Sequence, residues 1–230
     1  SVLKAIGVNF TQNGGLLTVE PPKKYTCGGV INCRESGSTL RFMLPVLAAL
    51  GISGAVTGSG RLPDRPIGEL LNELSSHGAV FSSPRLPTDI GGTLSGGEFR
   101  FDGGVSSQYI TGLLLASVIT GEECKIHIDG ALQSKPYVDL TVKVMRDFGV
   151  DVLEEDGTYT VKKGSKYRSP GNYSVEGDYS NAAFWLCAGV GMRGLCEDSF
   201  QGDSKIIDIL KSAGAEFRRE NGVVYPDVSN

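Results

Sequence analysis

The stretch Met145-Arg146-Asp147-Phe148-Gly149-Val150 closes an amphipathic segment on a glycine and begins a hydrophobic segment directly afterwards. The same arrangement recurs at 3–8, 74–79 and 210–215. Self-similarity at a fixed spacing, here about 70 residues, is the sequence signature of a repeated supersecondary unit. Glycine is typical of helix ends because it adopts the left-handed conformation without a steric penalty. The sequence therefore predicts repeated units, each with an amphipathic helix followed by strands.

A second type of helix alternates with the first and is predicted over 36–50, 106–119 and 179–190, where leucine, alanine and aromatic residues are abundant. Each of these segments opens on a small polar run, which can cap a helix and let a ligand approach the backbone. Because apolar residues occur nearly all round, we expect all three helices to be buried. The glycines expected to close them are Gly51, Gly121, and Gly189 or Gly191.

Short runs with strand character separate the helices, at 52–57, 98–101, 124–128, 150–154 and 159–162. Glu155-Asp156-Gly157 is a good hairpin turn between the last two runs. Alternating strands and helices usually indicate a doubly wound parallel sheet. Helices this apolar do not suit a solvated sheet face, so we prefer buried helices surrounded by sheets, a choice that rests partly on the resemblance given below.

The composition is that of an ordinary globular protein, with 230 residues, 40% hydrophobic residues and a net charge of −4. A negative net charge gives no general attraction to nucleic acid or to anionic membranes, so neither is expected as a partner. No apolar run reaches membrane-spanning length and no signal peptide opens the chain, which favours a cytoplasmic location. Because the first repeated segment lies at residues 3–8, we expect a piece of a larger repeat protein.

The cysteines are odd in number, and their spacings resemble neither a zinc site nor a redox pair. Buried, reduced thiols are therefore expected at Cys27, Cys33, Cys124, Cys187 and Cys196. The two histidines, His77 and His127, lie far apart and are expected to be structural. The sequence predicts no metal site.

Positive side chains accompany the polar helix starts. Arg41 lies one turn into the first buried helix, Arg61 and Arg65 precede the next helix, and Lys135 follows Ser134 at the start of another. Guanidinium groups bind carboxylate and phosphate in a bidentate manner, so this pattern indicates a multiply anionic small ligand. The alternative is that these are surface arginines paired with acidic side chains, for which the candidates are Asp64, Asp89 and Glu98.

No general acid–base pair, Ser-His-Asp order or phosphate-binding Gly-Lys-Ser/Thr loop is present. From spacing alone, the sequence predicts an anion-binding repeat domain whose catalytic residues are missing or unrecognised.

Six loop motifs occur in a characteristic order. They are Glu35-Ser36-Gly37-Ser38-Thr39-Leu40-Arg41-Phe42, Arg65-Pro66-Ile67, Gly104-Val105-Ser106-Ser107-Gln108-Tyr109, Ser134-Lys135-Pro136-Tyr137-Val138-Asp139, Val175-Glu176-Gly177-Asp178-Tyr179-Ser180 and Gln201-Gly202-Asp203. Together they resemble the 5-enolpyruvylshikimate-3-phosphate synthases, and they cover nearly the whole chain.

The resemblance implies an α/β (α+β) fold of the inside-out type, built of βαβαββ units around buried helices. It implies transfer of the enolpyruvyl group of phosphoenolpyruvate to shikimate 3-phosphate in aromatic amino acid biosynthesis, without a metal or organic cofactor. For this chain, it implies a shikimate-phosphate-binding domain over 1–172 that lacks its first helix. Residues 173–230 would form an additional unit that either starts the second domain or fills the vacant place in the first.

The resemblance also assigns site residues. Those matching the shikimate 3-phosphate-binding positions are Ser106, Ser107, Gln108, Ser134 and Tyr137. Those matching the phosphoenolpyruvate-binding positions are Gly37, Arg41, Arg65 and Gln108. Glu35 stands where many members have Asn, and a carboxylate there should weaken anion binding unless a cation neutralises it.

No catalytic residue is assigned, because the family's Lys-Ser segment, its catalytic Asp and its Lys-Glu pair have no counterpart here. The later phosphoenolpyruvate-binding Arg and Lys residues are also without one. We therefore expect the chain alone to be inactive or nearly so, with the missing half of the enzyme as a partner.

Two other functions remain as alternatives. The related transferase acting on UDP-N-acetylglucosamine usually has a reactive cysteine, expected here near 55–65, where none occurs. A non-catalytic anion-binding or assembly domain would have the same composition.

Overall fold

A computed structural model describes residues 2–104 and 106–227 of the chain. The helices are α1 Val2–Ala5, α2 Gly37–Ala49, α3 Gly68–Ser76, α4 Ser107–Thr120, α5 Lys135–Asp147, α6 Tyr179–Cys187 and α7 Ile206–Ser212. The strands are β1 Asn9–Asn13, β2 Leu16–Glu20, β3 Ile31–Asn32, β4 Gly54–Thr57, β5 Ala79–Phe81, β6 Thr88–Gly92, β7 Gly97–Asp102, β8 Cys124–Asp129, β9 Val152–Glu155, β10 Thr158–Val161, β11 Met192–Arg193, β12 Glu216–Glu220 and β13 Val223–Asp227. Two short 3₁₀ turns span Leu62–Asp64 and Gly202–Lys205.

Two stretches of chain form the same βαβαββ unit. The first has sheet order β3-β4-β6-β5 and the second β7-β8-β10-β9. In both sheets the first pair of strands is parallel and the other pairs are antiparallel. A third sheet, β11-β13-β12, repeats the antiparallel part of this order. The prediction of repeated units is confirmed.

The four glycines that mark the repeat all adopt positive φ, with values of 96° at Gly7, 98° at Gly78, 78° at Gly149 and 95° at Gly214. Space is also limiting at Gly78, because a Cβ there would lie 2.7 Å from the carbonyl oxygen of Thr93. Each glycine lets the chain leave a helix and turn back into the following strand pair.

The core is centred on α2 and α4, which cross at very short range. A Cβ on Gly112 of α4 would lie 2.4 Å from the carbonyl oxygen of Arg41 on α2, so the missing side chain allows this approach. Around the crossing, Leu44, Leu47 and Leu113 are fully buried. The large hydrophobic cluster that contains them extends along the chain from Val2 to Val161. The apolar character of these two helices is thus explained by burial.

The third apolar helix, α6, is not buried, so the prediction is wrong there. Phe184 is 78% exposed and Trp185 is 56% exposed. The buried side chains of α6 belong to a second, smaller cluster that also contains Leu195 and Val224. An apolar helix is buried only where another helix or sheet packs against it. α2 and α4 cover each other, whereas the described contacts of α6 are mainly with short elements of its own unit, which leave part of its apolar surface exposed.

All five predicted strands are present, as β4, β7, β8, β9 and β10, with ends shifted by at most two residues. In the hairpin turn, Asp156 and Gly157 have positive φ values of 47° and 73°, as a type I′ turn requires. The sequence reading missed the β1–β2 hairpin, because its strands are exposed on both faces and carry little apolar alternation.

The five cysteines are free thiols, but only Cys33 and Cys124 are buried. Burial raises the pKa of the Cys33 thiol to about 11, which makes it unreactive. The expectation of buried thiols is wrong for Cys187 and Cys196, which are exposed, and Cys27 is half-buried. The small core of the third unit leaves both exposed thiols uncovered.

The histidines take structural positions: His77 stacks on Phe99 at 3.9 Å, and His127 Nδ1 lies 3.0 Å from Thr158 Oγ1. Within residues 2–104 and 106–227, none of the helices combines the length and apolar character needed to cross a bilayer.

Candidate functional site

A pocket of about 640 Å³ opens where the N-terminal ends of α2, α4 and α5 meet. The five residues assigned to shikimate phosphate all line it: Ser106, Ser107, Gln108, Ser134 and Tyr137. The repeated topology causes this convergence, because it brings together the starts of two buried helices from successive units and of one amphipathic helix. The pocket therefore collects hydroxyl and amide groups from three helix starts, with Ser38, Ser106 and Ser134 each at the start of one of them.

Ser106 and Ser107 form the start of α4. Ser106 has extended backbone dihedrals and its hydroxyl accepts a hydrogen bond from the Gln108 amide at 3.4 Å, which makes it the N-cap. Ser107 is 9% exposed. The first amides of a helix have no intrahelical acceptor, and the helix dipole adds partial positive charge there. This end of α4 can therefore hold an oxyanion.

Ser134 precedes α5 in a strained conformation. Its φ of 58° is left-handed, which costs an L-residue about 1–2 kcal/mol. Its side chain makes no capping hydrogen bond to α5. Ser134 lines the pocket, and a strained residue in such a position is a frequent feature of binding sites.

Arg41 and Gln108 connect the two buried helices. Arg41 Nη1 donates to Gln108 Oε1 at 3.0 Å, and Gln108 Nε2 donates to Ser38 Oγ at 2.9 Å. The Arg41 guanidinium also lies over the Tyr109 ring, 5.7 Å from its centroid. Burial raises the pKa of Tyr109, although the neighbouring Arg41 opposes the shift. Arg41 thus supplies positive charge to a pocket whose other described lining residues are uncharged.

Gly37 brings a second arginine to the start of α2. A Cβ on Gly37 would lie 2.7 Å from Arg65 Nη1 and 3.1 Å from Arg41 Nη1. Both guanidinium groups therefore lie against the first turn of α2. Arg65 does not line the larger pocket and instead borders a neighbouring cleft of about 540 Å³ together with Arg85. The structure joins the two predicted groups of residues through Arg41, which contacts both.

Two other charged residues singled out in the sequence lie outside the pocket. Lys135 pairs with Asp139 and with Glu154, the latter at 3.0 Å. Burial lowers the pKa of Lys135, but the hydrogen bonds to these carboxylates outweigh that effect and raise it. The Glu35 carboxylate lies against Gly60 and does not line the pocket. Neither side chain is therefore among those that line the pocket.

The alternative pairing of the arginines with acidic residues is not what the described part of the chain shows. There, Glu98 pairs with Lys125 and His127, and no ion pair involves Arg41, Arg61 or Arg65.

The sequence reading missed part of the pocket wall. Thr111 and Thr141 also line the pocket, with their hydroxyl oxygens 2.9 Å apart, and Leu140 adds an apolar side chain. Helical spacing could have predicted both threonines, because residues three and four positions apart share a helix face. Thr111 follows Gln108 by three positions and Thr141 follows Tyr137 by four.

Comparison with known proteins decides the family. Residues 1–226 match the family model described as EPSP synthase (3-phosphoshikimate 1-carboxyvinyltransferase). The chain belongs to the EPSP synthase family. This confirms the resemblance that the loop motifs carry.

Curated EPSP synthase relatives agree. The 3-phosphoshikimate 1-carboxyvinyltransferase of Clostridium kluyveri is 35% identical over 230 residues, which is 96% of this chain and 54% of the relative. The protein of the same name from Yersinia pseudotuberculosis is 35% identical over 238 residues, covering 94% of this chain and 54% of its own length. The chain thus spans about half the length of the curated relatives it matches.

The fold agrees with that of a solved EPSP synthase. The enzyme from Acinetobacter baumannii superimposes with a TM-score of 0.75 at 22% identity, over 98% of this chain and 54% of that one. The predicted α/β fold class is confirmed. Among the described residues, no three His, Cys, Asp or Glu side chains group as a metal site.

Proposed function

We propose that this chain is the shikimate 3-phosphate-binding part of a 3-phosphoshikimate 1-carboxyvinyltransferase, a cytoplasmic enzyme of aromatic amino acid biosynthesis. The observation that carries the proposal is the convergence of five hydroxyl and amide side chains, from α4 and α5, in one pocket that contains Arg41. This set of groups suits a ligand with one phosphate and several ring hydroxyls. Residues 1–172 form the binding domain in this proposal, and residues 173–230 begin the second domain.

In this proposal the phosphate binds at the start of α4, where the Ser106 and Ser107 hydroxyls and the free helix amides can donate to its oxygens. Gln108 and Tyr137 border the ring, while Leu140 contacts its apolar face. Ser134 contributes a hydroxyl from the opposite side. The phosphate is thus held by dipoles of the fold, with Arg41 as the nearby formal charge.

Phosphoenolpyruvate is the proposed second ligand, bound at the start of α2 by the Gly37 backbone, Arg41 and Arg65. Two guanidinium groups at one helix start match a ligand that carries both a carboxylate and a phosphate. Gln108, hydrogen-bonded to Arg41, lies between the two ligand positions. Such adjacency would place a ring hydroxyl near the enol carbon, which reduces the entropic cost of the reaction.

The reaction in this proposal adds a proton to the methylene carbon of phosphoenolpyruvate, while the ring hydroxyl oxygen bonds to the adjacent carbon and loses its own proton. The resulting tetrahedral intermediate then loses phosphate and a proton to give the enol ether. The described residues position both ligands. The groups that move these protons are assigned to the missing half of the enzyme, which is the proposed partner.

The proposal is tested by calorimetric titration of the chain with shikimate 3-phosphate and then phosphoenolpyruvate. We expect saturable binding that Ser106→Ala with Gln108→Ala weakens at least about 100-fold, because two groups that hydrogen-bond the ligand are lost. The matched control, Gln12→Ala with Ser212→Ala, changes the same residue types far from the pocket and should bind normally. Absence of binding by the unaltered chain would instead favour a non-catalytic assembly domain.

Ser134 gives an independent prediction. Ser134→Gly should raise the free energy of unfolding by about 1 kcal/mol, because glycine accepts a positive φ without strain. Ser134→Ala retains the strain and should bring no such gain. Both variants lose the hydroxyl and should bind shikimate 3-phosphate about tenfold more weakly. Urea denaturation and calorimetry check the two effects, and equal stability of the two variants would contradict the strain argument.

A further inference from the structure

The segment Gln201-Gly202-Asp203 connects the third unit to the pocket. The Tyr137 hydroxyl donates a hydrogen bond to Asp203 Oδ2 at 2.5 Å. The hydrogen-bond length of 2.5 Å is typical of a hydroxyl that donates to a charged carboxylate, and such bonds are about twice as strong as neutral ones. The backbone of the neighbouring Gly202 also packs on this helix start, since a Cβ there would lie 3.5 Å from the Pro136 side chain.

Contacts within the third unit hold the segment that carries Asp203. Gln201 Oε1 accepts a hydrogen bond from the Tyr179 amide at 2.8 Å, and Gln201 Nε2 donates to the Gly177 carbonyl at 2.9 Å. These two bonds fix the segment to the start of α6, and Asp203 then lies in the following 3₁₀ turn. The carboxylate is therefore anchored by backbone contacts of the third unit.

A phenol has one proton to donate. Tyr137 lines both the pocket and the adjoining groove that contains Asp203. Because its proton is directed to Asp203, the Tyr137 oxygen has only lone pairs left for a ligand bound in the pocket. A ligand group that meets this oxygen must itself donate a hydrogen bond. Ring hydroxyls satisfy this requirement, whereas carboxylate and phosphate oxygens do not.

We propose that Asp203 is a positioning residue that fixes Tyr137 as a hydrogen-bond acceptor for a ring hydroxyl of the bound ligand. The third unit then sets part of the specificity of a pocket built otherwise from α2, α4 and α5. The inference rests on the proposed function, because it concerns how the same pocket selects shikimate 3-phosphate.

The electrostatic surroundings agree with a protonated Tyr137. The hydrogen bond to Asp203 raises the pKa of Tyr137, and burial and the nearby Asp178 carboxylate raise it further. The phenol therefore keeps its proton at neutral pH. It also separates the Asp203 charge from an anion bound in the pocket.

A double-mutant cycle in shikimate 3-phosphate binding tests the inference, with the variants Asp203→Ala, Tyr137→Phe and the two combined. We expect each single variant to bind about tenfold more weakly, and the combined variant to bind no more weakly than Tyr137→Phe alone, since both changes remove one interaction. Asp198→Ala is the matched control, because Asp198 lines the groove that also contains Asp203 and is not hydrogen-bonded to Tyr137. It should bind normally.

A second readout follows the tyrosine itself. In protein labelled with ¹³Cζ-tyrosine, the Tyr137 resonance, assigned by its loss in Tyr137→Phe, should titrate at lower pH in Asp203→Ala than in the unaltered chain. An unchanged value would overturn the inference, because Asp203 would then not hold the Tyr137 proton.

The outcomes are distinguishable. If the unaltered chain does not bind shikimate 3-phosphate, the proposed function fails and this inference fails with it. If the unaltered chain binds but Asp203→Ala binds equally well or more tightly, or if the two single effects multiply, the positioning role alone is overturned.

Discussion

Gly112→Ala should lower the free energy of unfolding by about 3 kcal/mol, although alanine is ordinarily the better helix former by about 1 kcal/mol. The added Cβ would lie 2.4 Å from the carbonyl oxygen of Arg41 and 3.0 Å from the Cα of Phe42. Both are backbone atoms of α2, so no side-chain rotation can relieve the clash. α2 and α4 must separate, and the buried leucines between them lose contacts.

Urea denaturation followed by circular dichroism measures this effect. Gly68→Ala is the control, because its nearest neighbouring atom, the Pro84 carbonyl oxygen, would lie 4.0 Å from the new Cβ at the start of α3. That variant should keep its stability to within about 1 kcal/mol. Equal stability of the two variants would contradict the close crossing of α2 and α4. The same separation should also weaken ligand binding, because it moves Arg41 relative to Gln108.

The 230-residue chain supplied with shikimate 3-phosphate and phosphoenolpyruvate should release phosphate at least about 10⁴-fold more slowly than an ordinary enzyme, whose turnover is about 10 per second. In the proposed function, the described residues bind the two ligands and supply no proton-transfer group. Closure of a second domain over the ligands would exclude water and add the proton-transfer groups. Without proton-transfer groups, binding of the two substrates alone lowers the activation free energy of the reaction only slightly.

A continuous phosphate-release assay with both substrates at saturating concentration checks this prediction. The full-length relative from Clostridium kluyveri, assayed in parallel, shows that the substrates and conditions support turnover. Turnover by the chain close to that of the relative would contradict the proposal that the proton-transfer groups belong to the missing half of the enzyme. Turnover by neither protein would point to the assay conditions, and the comparison would be repeated with the relative active.

The parts of the fold that follow from local chemistry were accessible from the sequence. Gly78 and Gly149 mark helix ends because few other residues adopt their φ, and Asp156-Gly157 marks a hairpin for the same reason. Ser106 is recognisable as a cap because its hydroxyl bonds two residues ahead. Each of these features depends on residues that are neighbours in sequence, so it can be predicted without knowing which distant segments meet in the fold.

Contacts between distant segments were not accessible in this way. The Thr111–Thr141 pair, the approach of Arg65 to Gly37 and the bond from Tyr137 to Asp203 join residues 28 to 66 positions apart. Nothing in the local pattern of either partner shows where the other will lie. The exposure of Trp185 was missed for a related reason, because an apolar helix is buried only where another element covers it.

The sequence by itself determined the repeat, the positions of the main helices, and the polar helix starts that can receive an anion, because these depend on backbone preferences and capping over a few residues. Only the tertiary structure decided that the starts of α2, α4 and α5 share one pocket, that Lys135 is paired away from it and that Asp203 reaches Tyr137. The physical reason is that side chains on separate repeats meet only after the sheets and the α2–α4 crossing have fixed the distances between them.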